Sequence, residues 1–209
     1  MNENQRAAVI LKILRKIYPT TPIPLKHNSK FTLLISVLLS AQCTDLNVNN
    51  VTKNIYPKYN KPKHFIKLGR KKIEKLIKSI GLFRVKAKSI FFLSKQLVEK
   101  HNGKVPRTFE ELEALPGVGH KTASVVMSQG YGYPAFPVDT HIHRLAQRWG
   151  LSNGKNVFQT ERDLKRLFPK KFWNKLHLQI IYYGREYCQA RNCYGLTCKI
   201  CTTCYPARK

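Results

Sequence analysis

Five residues, Leu115-Pro116-Gly117-Val118-Gly119, constrain this chain more than any other stretch, because they separate two segments that both read as helix. Thr108 and Glu111 have the T-x-x-E spacing of a capping box, which starts the first helix. Pro116 lacks the amide that a helix needs and stops it. Gly117 and Gly119 allow a turn that a residue with a Cβ would strain to make. A second helix begins near His120 and continues through Thr122, Ala123, Val125, Val126 and Met127. Helix, glycine-rich hairpin and helix leave backbone amides and a helix N-terminus unpaired. Such a corner attracts phosphate oxygens, since open N–H groups and the helix dipole both favour an anion. Lys121 stands in the first turn of the second helix, and Asp139 follows eighteen residues later in Val138-Asp139-Thr140-His141.

The rest of the chain reads as helix too. Val9, Ile10, Ile13, Leu14 and Ile17 form one stripe over residues 5–17, with basic residues opposite. Pro19, Pro22 and Pro24 break the chain. Asn28 or Ser29 caps an apolar helix, FTLLISVLLSAQ, and Asp45 caps the next, with Val48, Val51 and Ile55 at helical spacing. A short helix around Phe65 and another around Ile73, Leu76 and Ile80 lead to a stop at Gly81. An amphipathic helix over 84–100 ends at Asn102-Gly103. Asp139 starts a helix that ends at Gly150, and two more, over about 156–168 and 171–187, precede a cysteine-rich tail. No repeat and no long period-2 stretch appears, so the expected fold is all-α.

Charge bounds the function. The chain carries 38 Lys+Arg against 11 Asp+Glu, a net charge of +27 over 209 residues. Self-repulsion of that size opposes folding and calls for a polyanionic partner or a solubility role. Nucleic acid is the leading candidate, and a solvated basic surface the bland one. The N-terminal residues do not read as a signal peptide, because Lys12, Arg15 and Lys16 interrupt the apolar run. The longest apolar run, Phe31 to Ala41, is about half the length a transmembrane helix needs. The expectation is a soluble cytoplasmic protein with no membrane partner. Its six cysteines are then thiols or metal ligands.

LPGVGHKTASVV followed by PVDTHIHRLAQRWGL resembles the helix-hairpin-helix DNA glycosylases, and within them the endonuclease III family. The resemblance spans almost the whole chain. It implies two helical domains with a DNA cleft between them: a six-helix domain with the hairpin over 23–133, and an iron–sulfur cluster domain from 1–22 and 134–209. The implied activity is that of a bifunctional enzyme, a DNA glycosylase that removes oxidised pyrimidines from duplex DNA and a lyase that cuts the abasic strand. A monomer is the expected state.

That chemistry needs an amine that attacks C1′ of the sugar, expels the base and forms a Schiff base. The iminium acidifies the C2′ proton, and the 3′ phosphate leaves by β-elimination. Lysine forms imines only when unprotonated, and at a reference pKa of ~10.4 it is neutral about once in 2,500 at pH 7. Burial in a cleft, a helix N-terminus and nearby cations all lower that pKa. Lys121 lies at a helix N-terminus beside His120 in a very basic chain, and is the expected nucleophile. Asp139 is the expected carboxylate, stabilising the oxocarbenium charge and helping deprotonate the amine or a water. Read alone, Asp139 is a plain N-cap, and both roles coexist without conflict.

The target nucleotide has to leave the stack, and something has to fill the gap. Leu38-Leu39-Ser40-Ala41-Gln42-Cys43-Thr44-Asp45 resembles a family segment whose glutamine enters the vacated stack, which assigns that role to Gln42. Ile80-Gly81-Leu82-Phe83 resembles a second wedge, led by Leu82. By the same resemblance Leu115, Gly117, Val118 and Gly119 of the hairpin contact DNA, and His141 lines the pocket or meets a phosphate. Without the family, Gln42 is a polar helix end, Leu82 packs beside a C-cap glycine and His141 is a structural histidine.

Cys188, Cys193, Cys198, Cys201 and Cys204 fall within seventeen residues, a density that reads as metal binding. Cys43 stands apart as a small hydrophobe. The family holds a [4Fe-4S] cluster on a C-x6-C-x2-C-x5-C run. This chain departs from that pattern and has one cysteine to spare. Cys188, Cys198, Cys201 and Cys204 are the expected ligands, the tight trio wrapping one corner and Cys188 anchoring it from a helix. Zinc on four thiolates is the alternative. Zinc is colourless, whereas thiolate–iron charge transfer makes a protein brown. Two other functions compete: an adenine-mismatch glycosylase, which lacks the lysine found here at 121, and a non-catalytic DNA-binding module using the hairpin alone. The Lys121–Asp139 pair and the Gln42 segment favour the bifunctional enzyme.

Overall fold

The structure, a computed structural model, describes residues 1–205. Among the described residues all regular structure is helical, as the periodicity predicts, with eleven α-helices, a π-helical turn and a 3-10 turn. The chain divides into two compact units, one running from Ile23 to Gly132 and the other combining Met1–Pro22 with the chain from Tyr133 onward. No helix among the described residues is long and apolar enough to cross a membrane.

Helix α1 (Glu3–Ile17) opens the terminal unit. The hairpin unit follows with α2 (Lys30–Ser40), α3 (Asp45–Ile55), α4 (Pro62–Leu76), α5 (Phe83–His101), α6 (Phe109–Glu113) and α7 (His120–Val125). The terminal unit is completed by α8 (Thr140–Arg148), α9 (Val157–Leu167), α10 (Trp173–Glu186) and α11 (Lys199–Cys204).

The hairpin unit is built around α2, whose residues Phe31 to Leu39 are all buried. A helix apolar on every side has to be surrounded, and each such Leu or Ile contributes roughly 1.5–3 kcal/mol on leaving water. Ser29 and Thr32 close its N-terminus with a capping box. Inside the core the Tyr56 hydroxyl meets Ser36 Oγ at 2.6 Å and donates to Thr32 O at 3.0 Å. Two local expectations are corrected. Thr44, not Asp45, caps α3, its hydroxyl accepting from the Asn47 amide at 3.3 Å, with Asp45 the first helical residue. The cysteine tail contains a further helix, α11. The two short helices expected around Phe65 and Ile73 are present as the two halves of α4, separated by a break at Gly69 (φ +72°).

The terminal unit has its own core, in which Leu14, Leu145, Trp149, Leu164, Leu176 and Tyr183 are fully or nearly fully buried. Gln179 of α10 donates to Tyr18 O at 2.8 Å and so holds the end of α1. The 3-10 turn Lys170–Phe172 leads into α10.

Candidate active site

The hairpin forms where the sequence places it. Thr108 caps α6, accepting from the Glu111 amide at 3.2 Å and donating to Glu111 Oε2 at 2.8 Å. Leu115 and Val118 are buried, at 2% and 5% exposure, and pin the turn to the core with their side chains. What they leave for a ligand is backbone. Here the expectation of uniformly open amides needs correcting, because the Val118 N–H closes the turn onto Leu115 O at 3.0 Å. The amides of Gly117 and Gly119 donate to no protein group among the described residues.

The two glycines differ in their reasons. Gly117 has φ +80°, and a Cβ there would lie 2.7 Å from the Ser89 side chain of α5 and 3.3 Å from Leu38 of α2. Gly117 is therefore demanded by the fold. Gly119 has ordinary extended dihedrals (φ −94°, ψ 176°) and open space around its missing Cβ. Nothing inside the protein requires glycine there.

Gly119 caps α7, and Lys121 lies in its first turn with an exposed side chain. The burial expected around this lysine is thus not supplied by the fold itself. His120 does not act as a lone cation either. Its Nδ1 lies 2.7 Å from Glu113 Oε1, and its ring stacks on Phe109 with centroids 5.7 Å apart. This pair staples α7 to α6 across the hairpin.

Gln42 and Leu82, far apart in sequence, belong to adjoining loops of the hairpin unit. Both are exposed and both are left-handed, with φ +53° and +58°. Non-glycine residues seldom adopt that conformation, and where they do it often serves a function. A Cβ on Gly81 would come within 3.3 Å of Gln42 O, so the loops touch. Lys86 lies beneath them, only 5% exposed, and the sequence reading did not single it out. A signal was present: Lys86 continues the buried stripe Ile90, Leu93 and Leu97 of α5, where a lysine is out of place.

In the terminal unit Asp139 caps α8, its Oδ1 accepting from the Ile142 amide at 2.8 Å. The second carboxylate oxygen takes no hydrogen bond among the described residues. His141 is half-buried, its Nδ1 3.4 Å from an Arg144 nitrogen. The other end of α8 grips the cysteine loop, a feature the sequence reading missed although Arg144 and Arg148 have i, i+4 spacing. Arg144 donates to Cys188 O at 3.0 Å. Arg148 donates to Gln189 O at 2.8 Å and Ala190 O at 2.9 Å, and lies 3.4 Å from Cys188 Sγ.

The thiols that converge are Cys188, Cys193, Cys198 and Cys201, all buried, with sulfurs within 4.8 Å of one another. Three of the expected ligands, Cys188, Cys198 and Cys201, are in this group. Cys193 belongs to the group and Cys204 does not, because α11 carries Cys204 one turn past Cys201 and into the core. Cys43 lies alone in the hairpin unit. Four buried thiols with no carboxylate or imidazole among them are the donor set of an iron–sulfur cluster, and they fit a [4Fe-4S] group.

Residues 35–170 match the HhH-GPD superfamily of base excision DNA repair proteins. Endonuclease III of Escherichia coli (strain K12) is 43% identical over 191 residues, covering 91% of this chain and 90% of that protein. The chain belongs to the endonuclease III family. Endonuclease III of Bacillus subtilis (strain 168) is 41% identical, with 92% of this chain and 89% of the relative covered. A solved non-covalent endonuclease III–DNA complex superposes with a TM-score of 0.92 at 40% identity, covering 98% of this chain and 96% of that one. A trapped endonuclease III–DNA covalent intermediate gives 0.90 at 40% identity, covering 97% and 99%. Like its family, the chain is a base excision repair DNA glycosylase with lyase activity at abasic sites, and DNA is its partner.

Proposed function

We propose that this enzyme acts as a monomer in the cytoplasm, removes oxidised pyrimidines from duplex DNA, and cuts the resulting abasic strand through a Schiff base on Lys121. One observation carries the reading: an exposed lysine in the first turn of the helix that follows an open hairpin. The Gly117 and Gly119 amides receive a backbone phosphate. The open face at Gly119 lets that phosphate approach the main chain closely. The damaged nucleotide swings out, Gln42 and Leu82 occupy the gap, and the sugar meets the Lys121 amine.

The Nζ–C1′ bond forms as the glycosidic bond breaks, and the base leaves with the electron pair and takes up a proton given up by the amine; the C1′–O4′ bond then opens, O4′ is protonated, and the iminium forms. Loss of the C2′ proton from the iminium expels the 3′ phosphate. Lys121 is exposed in the protein alone, so its amine is open to the sugar of a bound nucleotide. Asp139 uses one oxygen to hold α8 and presents the other to the sugar, where its charge stabilises the oxocarbenium character of the transition state. His141, in the first turn of the same helix, is a phosphate or pocket contact. We assign the cluster to Cys188, Cys193, Cys198 and Cys201. When bound, the cluster supplies cross-linking of the tail, and Arg148 and Arg144 tie that tail to the helix Asp139 begins.

A nicking assay on duplexes bearing thymine glycol, dihydrouracil or an abasic site tests the reading. Cutting is expected without added Mg²⁺, and Lys121→Gln is expected to bind DNA but not cut it. Equal cutting by the variant overturns the lysine assignment. Indifference to base oxidation overturns the substrate class.

A further inference from the structure

Lys86 is a buried lysine that the chemistry above does not use, and its surroundings are specific. Its ammonium donates to Leu39 O at 2.9 Å and to Ala41 O at 2.5 Å, two of the last three carbonyls before Gln42. A cation at the C-terminus of α2 satisfies orphan acceptors and meets the negative end of the helix dipole. Its own backbone amide donates to Leu82 O at 3.0 Å. That amide hydrogen bond is the ordinary first turn of α5, which Leu82 caps; the side chain is what ties this turn to the Gln42 loop. Asn47 makes a second tie across the same gap, donating to Cys43 Sγ at 3.3 Å and to Ser79 O at 3.0 Å. Burial costs this lysine, lowering its pKa below the ordinary value. An apolar residue would cover the same space at no such cost, so packing does not explain its charge.

We propose that Lys86, with Asn47, is the positioning residue that locks Gln42 and Leu82 into one two-pronged wedge. The proposal rests on the reading of Gln42 and Leu82 as the residues that fill the vacated stack. Both prongs are left-handed residues at loop tips. Unless something beneath holds them, each relaxes toward commoner dihedrals and the prongs lose register. A displacement of about 1 Å at such a group costs up to ~10²-fold in rate.

The wedge matters only where a stack has to be opened, and that separates positioning from general damage to the fold. Single-turnover rates are measured for thymine glycol in a duplex and for an abasic site in a single strand, with wild type, Lys86→Met, Asn47→Ala and Gln42→Ala. Lys86→Met is expected to slow duplex processing by at least about tenfold and to leave single-strand cutting within about twofold, with Asn47→Ala following in the same direction. A folded Lys86→Met that keeps the wild-type ratio of duplex to single-strand rates overturns the proposal while Gln42→Ala still lowers that ratio. If Lys86→Met does not fold, Asn47→Ala decides by the same ratio. A Gln42→Ala enzyme with an unchanged ratio overturns instead the wedge reading underneath.

Discussion

Asp139 has two jobs in this account, and substitution separates them. As the cap of α8 it accepts the Ile142 amide at 2.8 Å. Removing such a cap costs about 0.5–2 kcal/mol. For a chain of 209 residues each ~1 kcal/mol moves the melting temperature by about 2–4 °C. Asp139→Ala is therefore expected to melt roughly 1–8 °C below wild type. Asp139→Asn keeps an acceptor oxygen and caps about as well, giving up only the charge–dipole part, about 0.3–1 kcal/mol. It is expected to melt between the two. Base release should rank differently. Both variants lose the negative charge proposed to face the sugar, and loss of one electrostatic partner of the transition state costs about 10²–10³ in rate. Calorimetry paired with single-turnover excision from a thymine-glycol duplex reads both quantities. An Asp139→Asn enzyme that excises at the wild-type rate would refute the catalytic role and leave Asp139 a cap alone. An Asp139→Ala enzyme with unchanged melting would refute the cap.

The hairpin glycines should part company. Gly117→Ala meets both a left-handed backbone and Ser89 at 2.7 Å, and is expected to cost about 2 kcal/mol or more, lowering melting by roughly 4–8 °C. Gly119→Ala should melt like wild type yet bind duplex DNA more weakly by fluorescence anisotropy, and unchanged affinity would count against phosphate approach there. Cys193→Ser should purify with depleted iron and reduced brown absorbance while Cys204→Ser stays brown; the reverse outcome returns Cys204 to the ligand set, and a colourless wild type favours zinc. Burial raises the Tyr56 phenol well above its ordinary value of 10.0. Its contribution to stability is thus fully present below pH 10 and declines as rising pH ionises the unfolded chain first. Thermal melts from pH 8 upward should show this loss in wild type and a smaller one in Tyr56→Phe, and parallel curves would sink the assignment.

The sequence was most legible where one local force decides the outcome. Ser29, Thr108, Asp139 and the Asn102–Gly103 stop act within a few residues of themselves, and each has its predicted role. At Thr44–Asp45 two good caps stand side by side, and only the entry angle of the chain picks the threonine. The helices around Phe65 and Ile73 were legible as two because each carries its own apolar anchor; the break between them falls at Gly69, and both anchors are buried in one core. Among the cysteines, spacing along the chain is a poor guide to which thiols meet. The loop around Tyr194 and Gly195, both at positive φ, doubles back and returns Cys193 to the group, while α11 carries Cys204 away. Lys86 escaped notice in a chain with 38 Lys+Arg, since residue type carries little information against so basic a background. What distinguishes it is a tertiary fact, two carbonyls from a helix more than forty residues upstream.

The central claim is covalent: the Lys121 nitrogen bonds to the sugar. Borohydride added during turnover of an abasic or thymine-glycol duplex reduces that imine to a permanent protein–DNA adduct, which peptide mapping locates. The account predicts an adduct on Lys121 that Lys121→Gln abolishes. An adduct on another amine, or undiminished trapping by Lys121→Gln, contradicts it.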